Sequence, residues 1–425
     1  MAGTSFLRRV SLYGFRGSLS SPKSNSVDNQ PSETLPVTPE TQTVLLLRGA
    51  RQPYELTEDY PVPGLRDDRE VLVRAQAIGL NPIDWKAPDF NFAIPELPYI
   101  SGRELAGEIV KVGQSSRLKA GDRILVISTD YRDLRKAAYQ QYVVALDYNT
   151  VRLPPTLSPE EGSTLGVAFV AAALSLGVCM GLDFSSVLDG PNLYTLLRQL
   201  PPDSIATDIR EECLDNIQAD ERAQPGDWLA IWGGSSTSAN LTLQLARLAG
   251  LRTIATADKA KHGLRLSNHK TLRPDLLVDS HDPARAVEII RANAKGQLRF
   301  GIDTRGRESA GWLMQALGKE GEKNGNTPLA PQPAQPAAHL IGLTGLPKQV
   351  APEGVQYHTV PIKLFHEVPA VGQALVEWLE RLLEQGLVTP PDIIDVEQGL
   401  GSVNRGLDRM RRGEISGGKL VVRVD

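Results

Sequence analysis

The stretch Asp227–Gly250, DWLAIWGGSSTSANLTLQLARLAG, decides how the rest of the chain is organised. Its apolar run 228–232 predicts a buried strand, and Gly233-Gly234 then allow a tight turn. A helical pattern follows and stops near Gly250, after which residues 252–256 predict a second strand. Strand, small-residue turn, helix and strand in this order are typical of the opening unit of a dinucleotide-binding fold.

The turn after the first strand is the predicted phosphate site, because its N–H groups and the helix N-terminus suit a pyrophosphate. It reads GGSSTSA, so hydroxyl groups that can donate to phosphate oxygens replace two glycines of the usual G-x-G-x-x-G pattern. An ordinary turn whose serines cap the helix remains the alternative. The predicted cofactor-binding residues in this unit are Gly233, Gly234, Ser235, Ser236, Thr237, Ser238 and Thr256.

Composition narrows the class of protein. The 425 residues are enough for two domains, and a net charge of −4 gives no sign of a nucleic-acid or anionic-membrane partner. Only Cys179 and Cys213 are present, which excludes a disulfide framework and a multi-cysteine zinc lobe. We find no apolar run near the ~20 residues of a membrane span and expect a soluble protein.

The first 40 residues differ from the rest in being rich in Ser, Pro and Asn. Arg8, Arg9, Arg16 and Lys23 precede the first acid, Asp28. A mitochondrial presequence and a disordered tail both remain open, and we exclude residues 1–40 from the fold. The expected location is the cytoplasm, with mitochondria as the alternative.

The pattern divides the remainder into a β-rich part and an alternating α/β part. Several short strands separated by Gly and Pro predict a small barrel or sandwich near the N-terminus; they cover 44–47, 70–80, 105–112, 123–127 and 139–146. Further along, strands separated by helices predict a parallel sheet covered on both faces; the strands cover 276–279, 298–303 and 339–343. Residues 319–338 predict a surface loop, and 368–385 an amphipathic helix.

Four stretches carry a resemblance to a known family: 79–86 (GLNPIDWK), 102–109 (GRELAGEI), 112–123 and the GGSSTSA turn. In this order they resemble the medium-chain dehydrogenase/reductase superfamily. The resemblance is closest to its zinc-free quinone oxidoreductase and stand-alone enoyl reductase branch. It implies an α/β protein with two domains. These are a GroES-like β-rich catalytic domain and a Rossmann-type doubly wound parallel-sheet cofactor domain, with boundaries at 41–157 plus 362–425 and at 158–361. An insertion is expected at 182–224, either as a lid over the cleft or as a solvated excursion.

Residue chemistry argues against zinc in the expected cleft. Zinc-dependent relatives need a thiolate and an imidazole there, but the first position falls in the cysteine-free LNPID segment and the second is Arg103. Glu104 alone is not a zinc site. We therefore expect no catalytic metal, and no structural zinc either.

The resemblance also assigns roles at the cleft. Lys86 is expected to be the proton donor or oxyanion partner, Asp84 to position it, and Asn81 to bond the nicotinamide ribose or carboxamide. Gly342-Leu343 are expected to lie against that carboxamide. The alternatives are that Lys86 is a surface lysine after a strand and that Asn81-Pro82 and Gly342-Leu343 are plain turns.

NADPH is the expected cofactor. By resemblance Lys259 binds the 2′-phosphate and His281 adds a contact, while Asp258 lies beyond the position of the acid in an NAD site. The alternative is that Lys259 and Lys261 are ordinary exposed lysines at the start of a helix and do not bind phosphate. Relatives also carry a Thr near the middle of the linking helix, where this chain has 168–171, AFVA.

The expected reaction is hydride transfer from NADPH to a small-molecule quinone or α,β-unsaturated carbonyl, without zinc. A stand-alone trans-enoyl reductase of a polyketide or fatty-acid synthase is the narrower alternative. A non-catalytic NADPH-binding sensor or structural subunit is the alternative outside enzymes, and a scaffold without nucleotide is a third. Relatives are often dimers but also monomers, so a homodimer remains open.

Overall fold

Eight short strands and one helix build the N-terminal part of the computed structural model, which describes residues 38–317 and 337–424. The elements are β1 (Thr41–Leu47), β2 (Glu55–Pro61), β3 (Glu70–Gly79), α1 (Pro82–Phe90), β4 (Tyr99–Ile100), β5 (Glu104–Val112), β6 (Arg123–Ile127), β7 (Tyr142–Leu146) and β8 (Thr150–Arg152). β1 pairs antiparallel with β2 and β4, and β3 with β5 and β7. The predicted strands are confirmed. The segment after β3, for which a plain turn was the alternative, begins the helix α1, which was not predicted.

A helical linker joins this part to the next. It consists of α2 (Pro159–Gly162), α3 (Gly166–Leu174) and a π-helical turn (Ser175–Cys179). The expectation that no apolar run approaches a membrane span was wrong, because Pro159–Cys179 is long and apolar enough. However, 89 % of that window is buried inside the protein, as in the core helix of a soluble protein.

The insertion carries two helices, α4 (Leu193–Gln199) and α5 (Thr207–Leu214). Leu193, Leu197 and Ile205 are fully buried and join the main apolar core. The solvated-excursion interpretation is therefore wrong, since burial of this apolar area anchors the segment.

The alternating part forms one six-stranded parallel sheet with the order β11-β10-β9-β12-β13-β14. Its elements are β9 (Trp228–Trp232), α6 (Thr237–Leu248), β10 (Arg252–Ala257), α7 (Lys259–Asn268), β11 (Leu276–Asp279), α8 (Pro283–Ala294), β12 (Leu298–Asp303), α9 (Arg307–Ala316), β13 (Ala338–Gly342) and β14 (Val355–His358). This is the doubly wound order, whose reversal between β9 and β12 opens a crevice for a ligand. Most of the predicted loop 319–338 lies outside the described residues.

The C-terminal segment returns to the first part of the fold. It contains α10 (Leu364–Glu367), α11 (Pro369–Glu384), β15 (Ile393–Gln398), α12 (Val403–Arg411) and β16 (Lys419–Arg423). β16 pairs antiparallel with β3 and parallel with β15. The α/β class with a β-rich domain and a doubly wound domain is thereby confirmed.

Candidate active site

The glycine turn after β9 lies at the sheet's reversal point. The N–H groups of Gly233 and Gly234 donate to the Thr256 carbonyl at 3.0 and 2.9 Å, which fixes the turn against β10. Gly233 has φ +85°, and a Cβ there would stand 2.3 Å from Thr304 Oγ1. Only glycine fits such a position without strain, so the turn leaves its surface free for a close-lying ligand.

The hydroxyl groups of the turn divide into two kinds. Ser236 caps α6: its Oγ accepts from Ala239 N at 3.1 Å and donates to Thr304 Oγ1 at 3.0 Å. This corrects the expectation that its hydroxyl serves a phosphate, since its hydrogen bonds are already made within the protein. Ser235, Thr237 and Ser238 are half-buried, and their hydroxyls form no hydrogen bond within the described ranges. They remain candidates beside the free N–H groups of the helix N-terminus.

The sequence reasoning missed a cation at this crevice. Arg305 follows β12, and a Cβ on Gly233 would stand 2.8 Å from its Cγ, so the arginine side chain lies over the turn. Among the described residues no carboxylate comes within 4.0 Å of its guanidinium. A cation in the loop after the strand next to β9 was the available signal, because that loop borders the reversal point.

The two residues assigned to the 2′-phosphate lie side by side at the end of β10. Lys259 is the exposed first residue of α7, with its N–H 3.4 Å from Asp279 Oδ1. His281 Nδ1 lies 2.9 Å from the same oxygen, and its Nε2 lies 3.6 Å from Asp258 Oδ2. The hydrogen bond to Asp279, and then the charge of Asp258, raise the pKa of His281. The charge of a protonated His281 is thus largely offset, which leaves Lys259 as the stronger phosphate partner.

Asp258 is placed differently from the expectation. β10 ends at Ala257, so Asp258 follows the strand directly, where an NAD site carries its acid. Its Oδ1 accepts the N–H of Lys261 at 2.9 Å and caps α7. Helix capping therefore accounts for this carboxylate.

Asn81 and Glu104 connect the start of α1 to the start of α3. Asn81 Nδ2 donates to Glu104 Oε1 at 2.8 Å and to the Gly79 carbonyl at 3.2 Å. Glu104 Oε2 accepts the N–H of Val167 at the start of α3 at 3.0 Å, and Oε1 also accepts from the buried ammonium of Lys419. The amide N–H groups of Asn81 are thus occupied, and only its Oδ1 is left for a cofactor.

Asp84 does not position Lys86, so that part of the expectation was wrong. Asp84 is fully buried, and its Oδ2 accepts the N–H of Asn81 at 2.8 Å, which caps α1. Burial raises the pKa of Asp84 to about 6, opposed by Arg103, the Asn81 N–H and Tyr139. A carboxyl at the third position of a helix turns back to the helix start, away from residue 86.

Lys86 lies half-buried on α1, with its ammonium 5.6 Å from the Trp85 ring centre. Within the described ranges no acid lies within 4.0 Å of it. Arg103 is buried, donates to the Tyr99 hydroxyl at 3.0 Å, and likewise has no carboxylate within 4.0 Å in the described part of the chain. Two cations without a close acid therefore belong to α1 and to the segment that leads into β5.

Gly342 ends β13 and Leu343 follows it, with Leu343 N donating to the Asp303 carbonyl at 2.9 Å. Both lie at the carboxyl edge of the sheet, two strands from the glycine turn, and their contact with the nicotinamide carboxamide stays a prediction. Val170 is fully buried in α3. It offers no hydroxyl where relatives carry Thr.

Both a family model and a known protein match this chain in sequence. The family model of the alcohol dehydrogenase GroES-like domain matches residues 67–155. The trans-enoyl reductase caaB of Aspergillus niger is 30 % identical over 406 residues, which cover 93 % of this chain and 100 % of that protein.

Solved structures show the same fold. An alcohol dehydrogenase superfamily protein from Novosphingobium aromaticivorans superposes with a TM-score of 0.66 at 18 % identity, covering 91 % of this chain and 100 % of its own. The quinone oxidoreductase from Coxiella burnetii gives 0.62 at 16 % identity, with 91 % and 100 % covered. With its GroES-like region, its doubly wound sheet and a relative 30 % identical over nearly its whole length, the chain belongs to the medium-chain dehydrogenase/reductase superfamily, as an oxidoreductase of the quinone oxidoreductase and trans-enoyl reductase-like branch.

Proposed function

We propose that this protein is an NADPH-dependent trans-enoyl reductase that transfers hydride to the β-carbon of an α,β-unsaturated thioester without a catalytic metal. The reactions named for its relatives are enoyl reduction and quinone reduction. Enoyl reduction is favoured because caaB, a trans-enoyl reductase, is 30 % identical over 93 % of this chain, whereas the quinone oxidoreductase from Coxiella burnetii is 16 % identical.

The observation that carries the proposal is a pair of cations in the GroES-like domain that have no close carboxylate. Lys86 and Arg103 are cations with no carboxylate within 4.0 Å among the described residues, and Arg103 stands where zinc-dependent relatives place an imidazole. Hydride addition to the β-carbon leaves negative charge on the carbonyl oxygen. A fixed cation stabilises that charge without a metal.

We assign each residue a role in binding or proton transfer from its position in the fold. The glycine turn and the first turn of α6 bind the pyrophosphate, and Arg305 adds a cation beside them. Lys259 binds the 2′-phosphate. The hydrogen bonds that Asn81 and Val167 donate to the Glu104 carboxylate hold the start of α1 against α3. We assign Lys86, on α1, the protonation of the enolate. The bound nicotinamide supplies the hydride.

The role of Lys86 is tested by its replacement with Ala. We expect kcat with a short 2-enoyl thioester to fall by about 10²-fold or more, as for the loss of a general acid, with NADPH affinity unchanged. The matched control is Lys111→Ala, an exposed lysine of β5, which should keep the wild-type rate.

The outcomes separate the alternatives. Full activity of the Lys86→Ala variant would contradict the assignment of Lys86. NADPH binding without turnover of enoyl thioesters, enones or quinones by the wild type would instead support the non-catalytic sensor.

A further inference from the structure

Three side chains that can bind a metal converge away from the cleft. Cys179 ends the π-helical turn, Glu212 lies on α5 in the insertion, and His358 ends β14. The cysteine sulfur, a glutamate oxygen and an imidazole nitrogen all lie within 4.8 Å of one another. Because the three ligands come from separate elements, their meeting is a product of the tertiary fold and not of helix spacing.

The charge of this cluster is unbalanced. Cys179 and His358 are fully buried, and the Glu212 side chain is 12 % exposed. The Glu212 carboxylate accepts from His358 Nδ1 at 2.7 Å and from Asn216 Nδ2 at 2.5 Å, but no Lys or Arg of the described ranges lies within 4.0 Å. A nearly buried carboxylate without a fixed cation is costly, and a bound cation removes that cost.

His358 makes a second contact of the kind that metal-binding histidines make. Its second ring nitrogen, Nε2, lies 2.9 Å from Nδ1 of the buried His339. Metal ligands of this type give their other ring N–H to an outer partner, which fixes the ring orientation. Here that contact turns Nδ1 of His358 toward Glu212.

We propose that Cys179, Glu212 and His358 bind one divalent transition-metal ion, with zinc the ion that best suits their sulfur, oxygen and nitrogen ligands. Tetrahedral ligands with bonds of 2.0–2.3 Å stand roughly 3.3–3.8 Å apart. The 2.7 Å contact between His358 and Glu212 therefore opens by about half an ångström. On metal binding the Cys179 thiol releases its proton to solvent. His358 keeps its one ring proton, which shifts from Nδ1 to Nε2 and is donated to Nδ1 of His339, whose own proton shifts to its Nε2.

The site is structural. Its three ligands tie the insertion to the end of the linking helix and to the edge of the parallel sheet. Cys179 lies 12 residues beyond Val167, roughly 18 Å along the helix, so the ion is remote from the cleft. The proposal revises the expectation of no structural zinc, which rested on the absence of closely spaced ligands in the sequence.

The test uses the full chain, stripped with a chelator and dialysed against Zn²⁺ or Co²⁺. We expect about one ion per chain by mass spectrometry, a thiolate-to-Co²⁺ charge-transfer band, and a thermal midpoint that rises by about 2 °C or more with saturating Zn²⁺. Cys179→Ser, Glu212→Gln and His358→Gln should each weaken Co²⁺ binding by about tenfold or more. Cys213→Ser is the matched control, a buried thiol on the same helix as Glu212, and should keep the band.

Wild-type protein that binds under about a tenth of an ion per chain and shows no band would overturn the proposal. This result needs no variant, so misfolding of a variant cannot obscure it. A band lost in Cys213→Ser but kept in Cys179→Ser would also contradict the ligand assignment.

Discussion

At the scale of single residues, we propose that a preference for NADPH depends on Lys259. Its ammonium is exposed beside the end of β10, while the neighbouring His281 is engaged by Asp258 and Asp279. A hydrogen bond to a charged phosphate contributes about 1.5–3 kcal/mol. Lys259→Ala should therefore raise the Kd for NADPH about 10- to 100-fold and leave that for NADH unchanged, as measured by nicotinamide fluorescence.

The control for this prediction is Lys261→Ala. Lys261 is exposed on the same helix, two residues further on, and its loss should change the Kd for NADPH by less than about threefold. Equal losses of NADPH affinity in both variants would indicate a general charge effect and contradict a specific phosphate contact.

Asp84 gives the protein a pH-dependent stability. Burial raises its pKa from 3.8 to about 6, so between these values the folded state binds more protons than the unfolded state. Stability from this group is present at low pH and is lost as pH rises through about 6. The shift corresponds to roughly 3 kcal/mol.

Asp84→Asn removes this titration. The unfolding free energy of the variant minus that of the wild type should rise by roughly 3 kcal/mol between pH 4 and 7, as measured by urea unfolding. A difference that stays constant with pH would show that Asp84 titrates normally.

Single residues were only partly predictable. Gly233 and Lys259 stand where their motifs put them, because the strand-turn-helix unit fixes their positions locally. The loop position of Arg305 could have been noticed in the sequence, but its place over Gly233 could not, because that depends on contacts between segments distant in the chain.

At the scale of elements, one buried ion pair connects three segments. Glu104 on β5 accepts from Lys419 on β16 and from the N–H of Val167 at the start of α3. Both charged side chains are almost fully buried. Breaking such a pair leaves an uncompensated charge in the interior.

Lys419→Met should lower the unfolding free energy by about 3–5 kcal/mol. Arg423→Gln on the same strand breaks an ion pair with Glu160 in which the arginine is 53 % exposed, and should cost less than about 1 kcal/mol. Chemical denaturation compares the two. Equal losses would mean that burial of the Glu104 pair has no special effect.

Elements were the most predictable level. The strands 228–232, 276–279 and 298–303 agree with the structure residue for residue, since a short apolar run between turn signals specifies a parallel strand. α1 was missed because Asn81-Pro82 signals a turn and a helix start equally well. The burial of the insertion was not predictable, because its few apolar residues meet the core only in the folded structure.

At the scale of the whole molecule, the return of β16 to β3 makes the GroES-like part depend on both ends of the described chain. Alternation predicted a parallel sheet covered on both faces, and its doubly wound order followed from the resemblance to the superfamily. The return of the C-terminal strand to the first domain was predicted only by the resemblance to the superfamily, because the sequence of one strand does not specify which strand it pairs with.

The central claim is hydride transfer from NADPH to the β-carbon of an enoyl thioester. The most direct test incubates the protein with NADPH deuterated at the transferring position of the nicotinamide and a 2-enoyl thioester, followed by mass spectrometry of the product. We expect a saturated thioester with one deuterium at the β-carbon and an equal amount of NADP⁺. Two results would contradict the account. One is an enoyl thioester that stays unchanged after prolonged incubation with enzyme that binds NADPH, and the other is a saturated product without deuterium.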